Sequence, residues 1–259
     1  MARHSHWHQI RLKKGAADVK RGKIFTRHGR LIEMAARRSG GDPGMNPGLA
    51  TMIENARADN MPRENIDRAI KKGTGEGKDA VQYEEVVYEG FGPGGVALMI
   101  ETLTDNKNRT FQAVRTIITK TGGTMGSAGA TSFLFERKGE IHVKAKGARD
   151  DDELEIIDAG AQDLIENDVE SGGGYTVYTH PNELAVVRTR LLEKGFTLES
   201  QKLSYIPLNP IELSDEATGE KMMTLLDALD EDEDVTNVAA ALAGLGARAH
   251  IYSGHGTYT

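Results

Sequence analysis

The sequence predicts an α+β protein with an N-terminal three-helix domain followed by two ferredoxin-like α/β domains, the second inserted into the first. Three observations support this prediction. Residues 20–72 repeat their apolar positions with a helical period, and strand-like runs begin at Tyr83. Two successive sets of strands and helices follow, which suggests two α+β layers. The piece after Pro210 is too short to fold alone, so we expect it to complete the first of the two sets.

The segment 20–38 is the centre of the predicted helical domain. At about 100° per residue, its apolar residues gather on one side of a helix, and its cations fill a neighbouring arc of roughly 100°. The apolar side comprises Ile24, Phe25, His28, Leu31, Ile32, Ala35 and Ala36, and the cationic side comprises Lys20, Lys23, Arg27, Arg30, Arg37 and Arg38. Such a row of cations suits a phosphate backbone, although a basic stripe taken alone is more often a solvated helix face. We interpret Gly29, inside this helix, as the site of a close helix crossing.

Two shorter helices complete the predicted helical domain, which we assign to residues 1–78. Asn46-Pro47 has the signature of an N-cap followed by a first-turn proline, and Met61-Pro62 begins the third helix. Lys71-Lys72-Gly73 is the stop signal of that helix. Residues 1–19 carry much charge but little periodicity.

The rest of the chain predicts the two α/β domains, which we assign to residues 79–130 with 208–259 and to the inserted residues 131–207. The first contains strands 83–91 and 96–104 and a helix over 111–118. The second contains a hairpin that turns at Lys138-Gly139, an acidic helix over 150–165, a hairpin at 172–174, a helix over 181–194 and a strand over 197–209. A last helix starts near Asp215 or Lys221. The run 230–234 lacks the glycine and the final acid of a calcium loop, so we interpret it as a solvated acidic turn.

Composition is that of a soluble globular protein in a reducing compartment. Of 259 residues, 38% are hydrophobic and 27% charged, and no apolar run approaches the roughly 20 residues that span a bilayer. The chain has no cysteine, which excludes disulfides and thiolate zinc sites. The N-terminus lacks an apolar signal segment, which favours the cytoplasm; because it is basic, the mitochondrial matrix of a eukaryote is the alternative.

The charge is distributed unevenly along the chain. Residues 1–78 contain 17 Lys and Arg and 8 Asp and Glu, a net of +9, whereas residues 79–259 contain 15 and 31, a net of −16. A basic segment joined to an acidic body orients itself on nucleic acid, because the segment is attracted and the body is repelled. This asymmetry does not distinguish DNA from RNA.

Motifs of catalysis and cofactor binding are missing from the sequence. There is no G-x-S-x-G, no H-E-x-x-H and no G-x-G-x-x-G after a strand, and GTGEGK lacks the spacing of a phosphate-binding loop. We therefore predict no enzyme activity, no metal and no cofactor; an active site assembled only in space is the alternative. The segment LTDNKNRT predicts either a polar turn with helix capping or a tip that contacts a partner through Asp105, Asn106, Asn108 and Arg109.

Several long motifs resemble those of the YebC family, which includes the mitochondrial translational activator of cytochrome oxidase subunit I. They are HSHW, KRGKIFT, EMAAR, GGDP, NMP-x-x-NI-x-RAIKKGTG, YEGFGPGGVALMIETLTDNKNRT and FLFERKG, and they occur in the family's order through nearly the whole chain. The resemblance implies a helical N-terminal domain and two α/β domains. It also implies one of two functions. The family's older label is that of a probable transcriptional regulator, and the alternative is ribosome binding with relief of stalling at proline-rich stretches. The chain departs from the family pattern at Arg3, His6, Thr236 and Ala239.

Two functional hypotheses follow. The first is a non-enzymatic translation factor whose basic domain binds ribosomal RNA on the ribosome; the second is a DNA-binding transcriptional regulator. In the first, Trp7 stacks on bases or, alternatively, anchors on the helical domain. The predicted nucleic-acid contacts are His6, Trp7, Lys13, Lys14, Lys20, Arg21, Lys23, Arg27 and Arg30. We expect no membrane partner and a monomer.

Overall fold

The computed structural model describes residues 3–75, 82–167, 173–213 and 215–243, with side chains from residue 21 onward. It divides into two compact units, residues 1–83 and 84–259. The first unit is helical, and the second contains two four-stranded antiparallel sheets, which confirms the predicted α+β class. Within the ranges given, every helix is either too short or too polar to cross a membrane.

The helical unit contains three helices around one small core. They are α1 (Arg3–Ser39), α2 (Pro47–Ala58) and α3 (Arg63–Gly73). The 37 residues of α1 make a helix about 55 Å long, which begins well before the predicted start at Lys20. The apolar periodicity of the sequence does not identify residues 3–19 as part of this helix, because charged residues and alanine favour a helix without forming an apolar face. The core contains Ile32, Ala36, Leu49, Ile53, Ala56, Met61, Ile66 and Ala69.

Asn46 connects the end of α1 to the start of α2. Its Oδ1 accepts a hydrogen bond from the Leu49 backbone N–H at 3.1 Å, which confirms the predicted N-cap. Its Nδ2 donates to the carbonyl oxygens of Ala35 and Gly40, at 2.9 and 2.8 Å. The Asn46 side chain is buried, and both its oxygen and its nitrogen have hydrogen-bond partners. The start of α2 is therefore positioned by these hydrogen bonds as well as by the core.

The close crossing of this unit lies at Gly73, not at the predicted Gly29. A Cβ added at Gly73 would lie 2.4 Å from the Glu33 carbonyl oxygen and 2.7 Å from the Ala36 Cβ. A Cβ at Gly29 would have only the Met61 Cε as a neighbour, at 4.0 Å. The last turn of α3 therefore packs directly on the backbone of α1, and a glycine is required there.

Alanine substitution is expected to have opposite effects at these two glycines. Gly73→Ala places a methyl group against helix backbone that cannot move aside, and it should lower the free energy of unfolding by about 2 kcal/mol. Gly29→Ala should raise it by up to about 1 kcal/mol, because alanine is the better helix former and the space is open. Urea unfolding of the full chain, followed by circular dichroism, measures both. Equal effects of the two substitutions would contradict the crossing at Gly73.

The first sheet of the second unit combines three early strands with the last one. Its strands are β1 (Glu84–Phe91), β2 (Ala97–Thr104), β3 (Thr124–Met125) and β8 (Val235–Ala240), in the order β3-β1-β2-β8. The helices α4 (Lys107–Lys120) and α7 (Glu216–Asp230) pack on one face of this sheet. Their shared core contains Leu98, Ile100, Val114, Ile118 and Leu225 among others.

The second sheet lies in the chain between β3 and α7, so it is inserted into the first. Its strands are β4 (Phe135–Val143), β5 (Asp163–Glu166), β6 (Tyr175–Thr179) and β7 (Leu198–Pro207), in the order β5-β6-β4-β7. The helices α5 (Arg149–Asp158) and α6 (Leu184–Glu193) give it the β-α-β-β-α-β order of ferredoxin-like folds. The residue boundaries assigned above to the three domains stay a prediction.

The predicted hairpin at Lys138-Gly139 is wrong, because β4 runs straight through both residues. Gly139 pairs with Thr179 on β6 and with Leu203 on β7, in the middle of the sheet. A Cβ at Gly139 would lie 2.2 Å from the Thr179 Oγ1 and 3.0 Å from the Leu184 Cδ1. The glycine therefore makes room for the start of α6 against the sheet, a reason that sequence alone does not distinguish from a turn.

The predicted acidic helix over 150–165 is wrong in its second half. The helix α5 ends at Asp158, followed by Gly160 at φ 103°, and residues 163–166 form β5 instead. This short strand pairs antiparallel with β6, so the predicted hairpin exists with a different first arm. The arm proposed from the sequence, DVES, falls within residues 168–172, which lie outside the described residues.

The two sheets of the second unit contact each other through an apolar cluster and a polar chain. Phe135 and Tyr205 pack with Met99 and Ala239. Ala239, where the chain departs from the family pattern, is thus part of a hydrophobic core. The Asn237 Nδ2 donates to the Glu101 Oε2 at 2.8 Å, and the Lys202 Nζ donates to the Asn237 Oδ1 at 3.2 Å. Burial raises the pKa of Glu101, although Asn237 and nearby cations oppose that increase.

Glu89 holds the loop that leads out of β3. Its carboxylate accepts hydrogen bonds from the backbone N–H groups of Gly129, Thr131 and Ser132, at 2.7 to 2.9 Å. Partial burial acts to raise the pKa of Glu89, but these hydrogen bonds outweigh it, so the pKa lies below its usual value of 4.5. The carboxylate form is the one that the loop stabilises.

Glu89→Gln is therefore expected to destabilise the protein in a pH-dependent way. At neutral pH the substitution should cost about 1 kcal/mol, because a neutral amide accepts these bonds more weakly. A carboxylate with a lowered folded-state pKa stabilises above its unfolded value of 4.5, and this stabilisation is lost as the pH falls through the folded value. Urea unfolding of both forms from neutral pH to about pH 3 should show the gap closing. Glu85→Gln, on the exposed part of the same strand, is the control.

Candidate nucleic-acid interface

The residues predicted to contact nucleic acid all lie on α1. Side chains of His6, Trp7, Lys13, Lys14 and Lys20 lie outside the described residues, although their backbone is helical. Of the other four, Arg21 is exposed, whereas Lys23, Arg27 and Arg30 are half-buried. The expected row of freely exposed cations is thus divided into an exposed part and a part that packs against the protein.

Arg30 and its neighbourhood have a structural role. The Arg30 guanidinium lies over the ring of Tyr83, 5.8 Å from its centroid, which is a cation–π distance. Two residues earlier, the His28 Nε2 lies 2.5 Å from the Asp59 Oδ2 and connects α1 to the end of α2. Substitution of Arg30 would disturb this packing together with any binding, so it is a poor test of an interface.

The crossing at Gly73 gathers a group of cations that the sequence does not place together. Gly73 packs beside the Arg37 backbone nitrogen, so the last turns of α1 and α3 meet at one end of the unit. Each of these turns contains two basic residues. We define the crossing cluster as Arg37, Arg38, Lys71 and Lys72, all of which are exposed.

The charge of the crossing cluster exceeds what the two helix ends require. Cations at a helix C-terminus are favourable by themselves, because each terminus carries about −0.5 charge. The two termini together offset about one of the four charges, and Arg37 is paired with the buried Glu33, whose Oε1 accepts from the Arg37 Nη2 at 2.9 Å. The other three cations, Arg38, Lys71 and Lys72, share one exposed surface that is formed by parts of the chain 34 residues apart.

The segment predicted as a partner-contacting tip is a helix cap in the structure. The Asn106 Oδ1 accepts from the Arg109 backbone N–H at 3.1 Å, at the start of α4. The Arg109 Nη2 donates to the Asp234 Oδ2 at 2.8 Å and to the Asp105 Oδ1 at 2.7 Å, and these bonds raise the pKa of Arg109. The structural alternative is thus observed. Asp105, Asn106, Asn108 and Arg109 are also exposed, and their contact with a partner stays a prediction.

Asp234 has a role that its place in an acidic run conceals. It was expected in a solvated turn, and the turn is present, but the Asp234 side chain is 8% exposed. Its Oδ2 accepts from the Thr110 Oγ1 at 2.7 Å as well as from Arg109, and lies 3.4 Å from the Thr104 Oγ1. Asp234 therefore joins β2, α4 and the start of β8. Its partners lie more than 120 residues away, so no local signal could have identified it.

Comparison with protein families gives matches over almost the whole chain. A family described as the TACO1/YebC protein N-terminal domain matches residues 5–76. A family described as the TACO1/YebC second and third domain matches residues 83–242. The boundary between the two matches falls in the same part of the chain as the division into two compact units.

Individual relatives agree with these matches. The chain is 51% identical over 240 residues to a probable transcriptional regulatory protein of Persephonella marina, covering 92% of this chain and 94% of that protein. It is 47% identical to a protein of the same name from Treponema denticola, covering 93% and 95%. A crystal structure of the conserved hypothetical protein Aq1575 from Aquifex aeolicus matches with a TM-score of 0.79 and 42% identity, over 86% of this chain and 90% of that one.

Proposed function

The chain belongs to the TACO1/YebC family, and from this premise we propose that it is a non-enzymatic translation factor that binds ribosomal RNA on the ribosome. The names of its relatives support a regulatory family that acts on nucleic acid. The proposal goes further, to RNA and to the relief of stalling or activation of translation. It assigns the protein to the cytoplasm, as a monomer without a cofactor.

The crossing cluster is the observation that carries the proposal. It joins the ends of α1 and α3 into one exposed surface with an excess of positive charge, and such a surface suits a phosphate backbone. The body is strongly acidic, with 31 Asp and Glu against 15 Lys and Arg in residues 79–259. Repulsion of the body from a polyanion would leave the helical unit as the part that approaches it.

Binding to RNA is favoured over the reading of duplex DNA by the surface of α3. A helix that reads bases in a major groove presents side chains from its first turns to the base edges. In α3 these positions include the exposed acids Glu64 and Asp67, and Asp67 lies 3.6 Å from the Arg63 Nε. These carboxylates would face the phosphates that flank the groove. Lys71 and Lys72 lie at the opposite end of the helix, where contact with the phosphate backbone of a nucleic acid is the simpler mode of binding.

A DNA-binding transcriptional regulator is the second candidate. The names of the relatives, probable transcriptional regulatory proteins, are the observation that favours it. Both candidates predict steep salt dependence, because both bind phosphates, so affinity measured at one salt concentration does not separate them.

Co-sedimentation of the full chain with purified bacterial ribosomes at physiological salt, beside gel shifts with promoter DNA, separates the two candidates. We expect the chain to pellet with ribosomes and to bind duplex DNA only weakly and without sequence preference. Sequence-specific binding to duplex DNA together with no ribosome association would reverse the order of the candidates. Turnover of a small molecule by the purified chain would contradict the non-enzymatic part of the proposal.

A further inference from the structure

The helix α4 has an unusual charge for its position in the protein. It contains Lys107, Arg109, Arg115 and Lys120 and no acidic residue, within a part of the chain whose net charge is −16. Exposed helices of a mixed-charge protein commonly pair their cations with acids three or four residues away. In this unit α5 follows that rule, since the Arg149 Nε donates to the Glu153 Oε1 at 2.7 Å. On α4, Arg109 follows this rule through Asp105, whereas no acidic residue lies three or four positions from Arg115 or Lys120.

The outward face of α4 is polar, and two of its four cations, Arg115 and Lys120, have no acidic partner among the described residues, whereas Arg109 is paired with Asp105 and Asp234. Thr110, Val114 and Ile118 point into the core, so the opposite side of the helix faces solvent. Arg115 and Lys120 have no carboxylate oxygen within 4.0 Å in the part of the chain that the structure describes, whereas Lys107 pairs with Glu84. We define the α4 face by its exposed residues Asn108, Gln112, Arg115, Thr119 and Lys120.

The side chains of the α4 face are of the types that bind phosphates. Arginine and lysine supply charge, and the Asn108 and Gln112 amides supply uncharged donors. From residue 108 to residue 120 the helix rises about 18 Å, long enough to follow several nucleotides of one strand. The helix begins at Asn106, so the positive end of its dipole lies at the same end as Asn108.

The neighbouring helix α7 limits where a polyanion could lie. It packs beside α4 on the same side of the sheet and carries Glu216, Glu220 and Asp227 on its exposed surface. These acids would repel phosphates from α7, so a strand that contacts this side of the unit would be confined to α4. The exposed cations of α4 thus lie beside the exposed acids of α7, and solvation alone does not require this separation of charge between two neighbouring helices.

We propose that the α4 face is a second RNA-binding surface, which contacts the phosphate backbone of the same ribosomal RNA that the helical unit binds. This inference rests on the proposed function and extends it to the second unit of the chain. The acidic body then takes part in binding through one restricted surface, in addition to orienting the helical unit by repulsion.

The test uses the full chain with Arg115→Gln and Lys120→Gln together, and purified bacterial large ribosomal subunits and protein-free ribosomal RNA as probes. Each phosphate contact adds about 0.7 to the slope of log K against log salt for a single strand, so the slope should fall by about 1.4. Affinity at about 0.1 M salt should fall roughly 25-fold by the same relation. Thermal unfolding should be unchanged, because both side chains are exposed.

A matched control removes two other charges from the same unit. Lys144→Gln with Arg149→Gln changes the net charge equally, but these cations lie beside Glu199 and Glu153. We expect this control to keep the wild-type slope on both probes. If it lowers the slope as much as the α4 variant does, net charge alone explains the effect and the α4 face is not a contact.

The remaining outcomes separate this inference from the proposed function. Wild-type slope and affinity in the α4 variant, with binding lost when the crossing cluster is altered, would overturn the inference and leave the function standing. A loss on ribosomal subunits with none on protein-free RNA would identify a protein as the partner and would also overturn it. Failure of the unaltered chain to bind either probe would overturn both.

Discussion

Reversal of charge at Arg38 and Lys72 is expected to lower the affinity of the full chain for ribosomes about 100-fold at 0.1 M salt. The two side chains belong to the crossing cluster, one from each helix. A phosphate contact contributes roughly a factor of 5 to 8 at this salt relative to 1 M, so losing two gives roughly 25- to 60-fold. The new carboxylates of Arg38→Glu and Lys72→Glu add repulsion. Sedimentation with purified bacterial ribosomes over a range of salt measures the loss.

Two controls distinguish a local contact from a general effect of charge or folding. Arg57→Glu with Arg63→Glu changes the charge of the helical unit equally, at exposed positions away from the Gly73 crossing, and should weaken binding only a few-fold. An acid introduced into the last turn of a helix lowers the free energy of unfolding by about 0.3 to 1 kcal/mol, so circular dichroism should show that the charge-reversed variants keep the fold. The neutral variants Arg38→Gln and Lys72→Gln should show an intermediate loss. Equal loss in both charge-reversed pairs would contradict a localised interface.

Asp234→Ala is expected to lower the free energy of unfolding by about 3 kcal/mol. The substitution removes a buried carboxylate that accepts from Arg109 and Thr110 at 2.8 and 2.7 Å. The hydroxyl groups of Thr104 and Thr110 are buried and would keep each other and the backbone N–H and carbonyl groups of Asn106 as partners. The Arg109 side chain is about half exposed, at 52%, so water would take over part of its hydration and limit the cost. Urea unfolding measures the change.

Asp227→Ala is the matched control for this prediction. Asp227 is an exposed acid on α7, close in sequence to the same acidic run, and its removal should change stability by less than about 0.5 kcal/mol. Equal effects at Asp227 and Asp234 would show that only the density of negative charge matters. Because Arg109 is held by Asp234, the Asp234 variant should also loosen the start of α4, which hydrogen exchange of the backbone amides after Asn106 would detect.

Sequence alone is sufficient to predict the class of the fold, most of its helices and strands, and the separation of charge along the chain. Apolar periodicity is a local property, so it identified α2, α3, β1 and β2, and the N-cap at Asn46 was readable from the Asn-Pro pair. The shortness of the piece after Pro210 indicated that it must return to the first sheet, where β8 pairs with β2. Counting charges along the chain required no structure at all.

The packing of the folded chain explains why particular residues occupy particular positions. A glycine in a turn and a glycine beneath a helix are the same letter. Sequence alone therefore predicts a turn at Gly139 and a close helix crossing at Gly29, whereas the structure shows Gly139 packed beneath a helix and the crossing at Gly73. Likewise, the sequence does not distinguish an exposed acid in a charged run from an acid that joins three elements, as Asp234 does. The crossing cluster and the α4 face depend on which distant segments pack together and which sides they leave exposed. Periodicity fixes the neighbours of a residue along its own helix or strand, whereas its neighbours in space are fixed by how those elements pack.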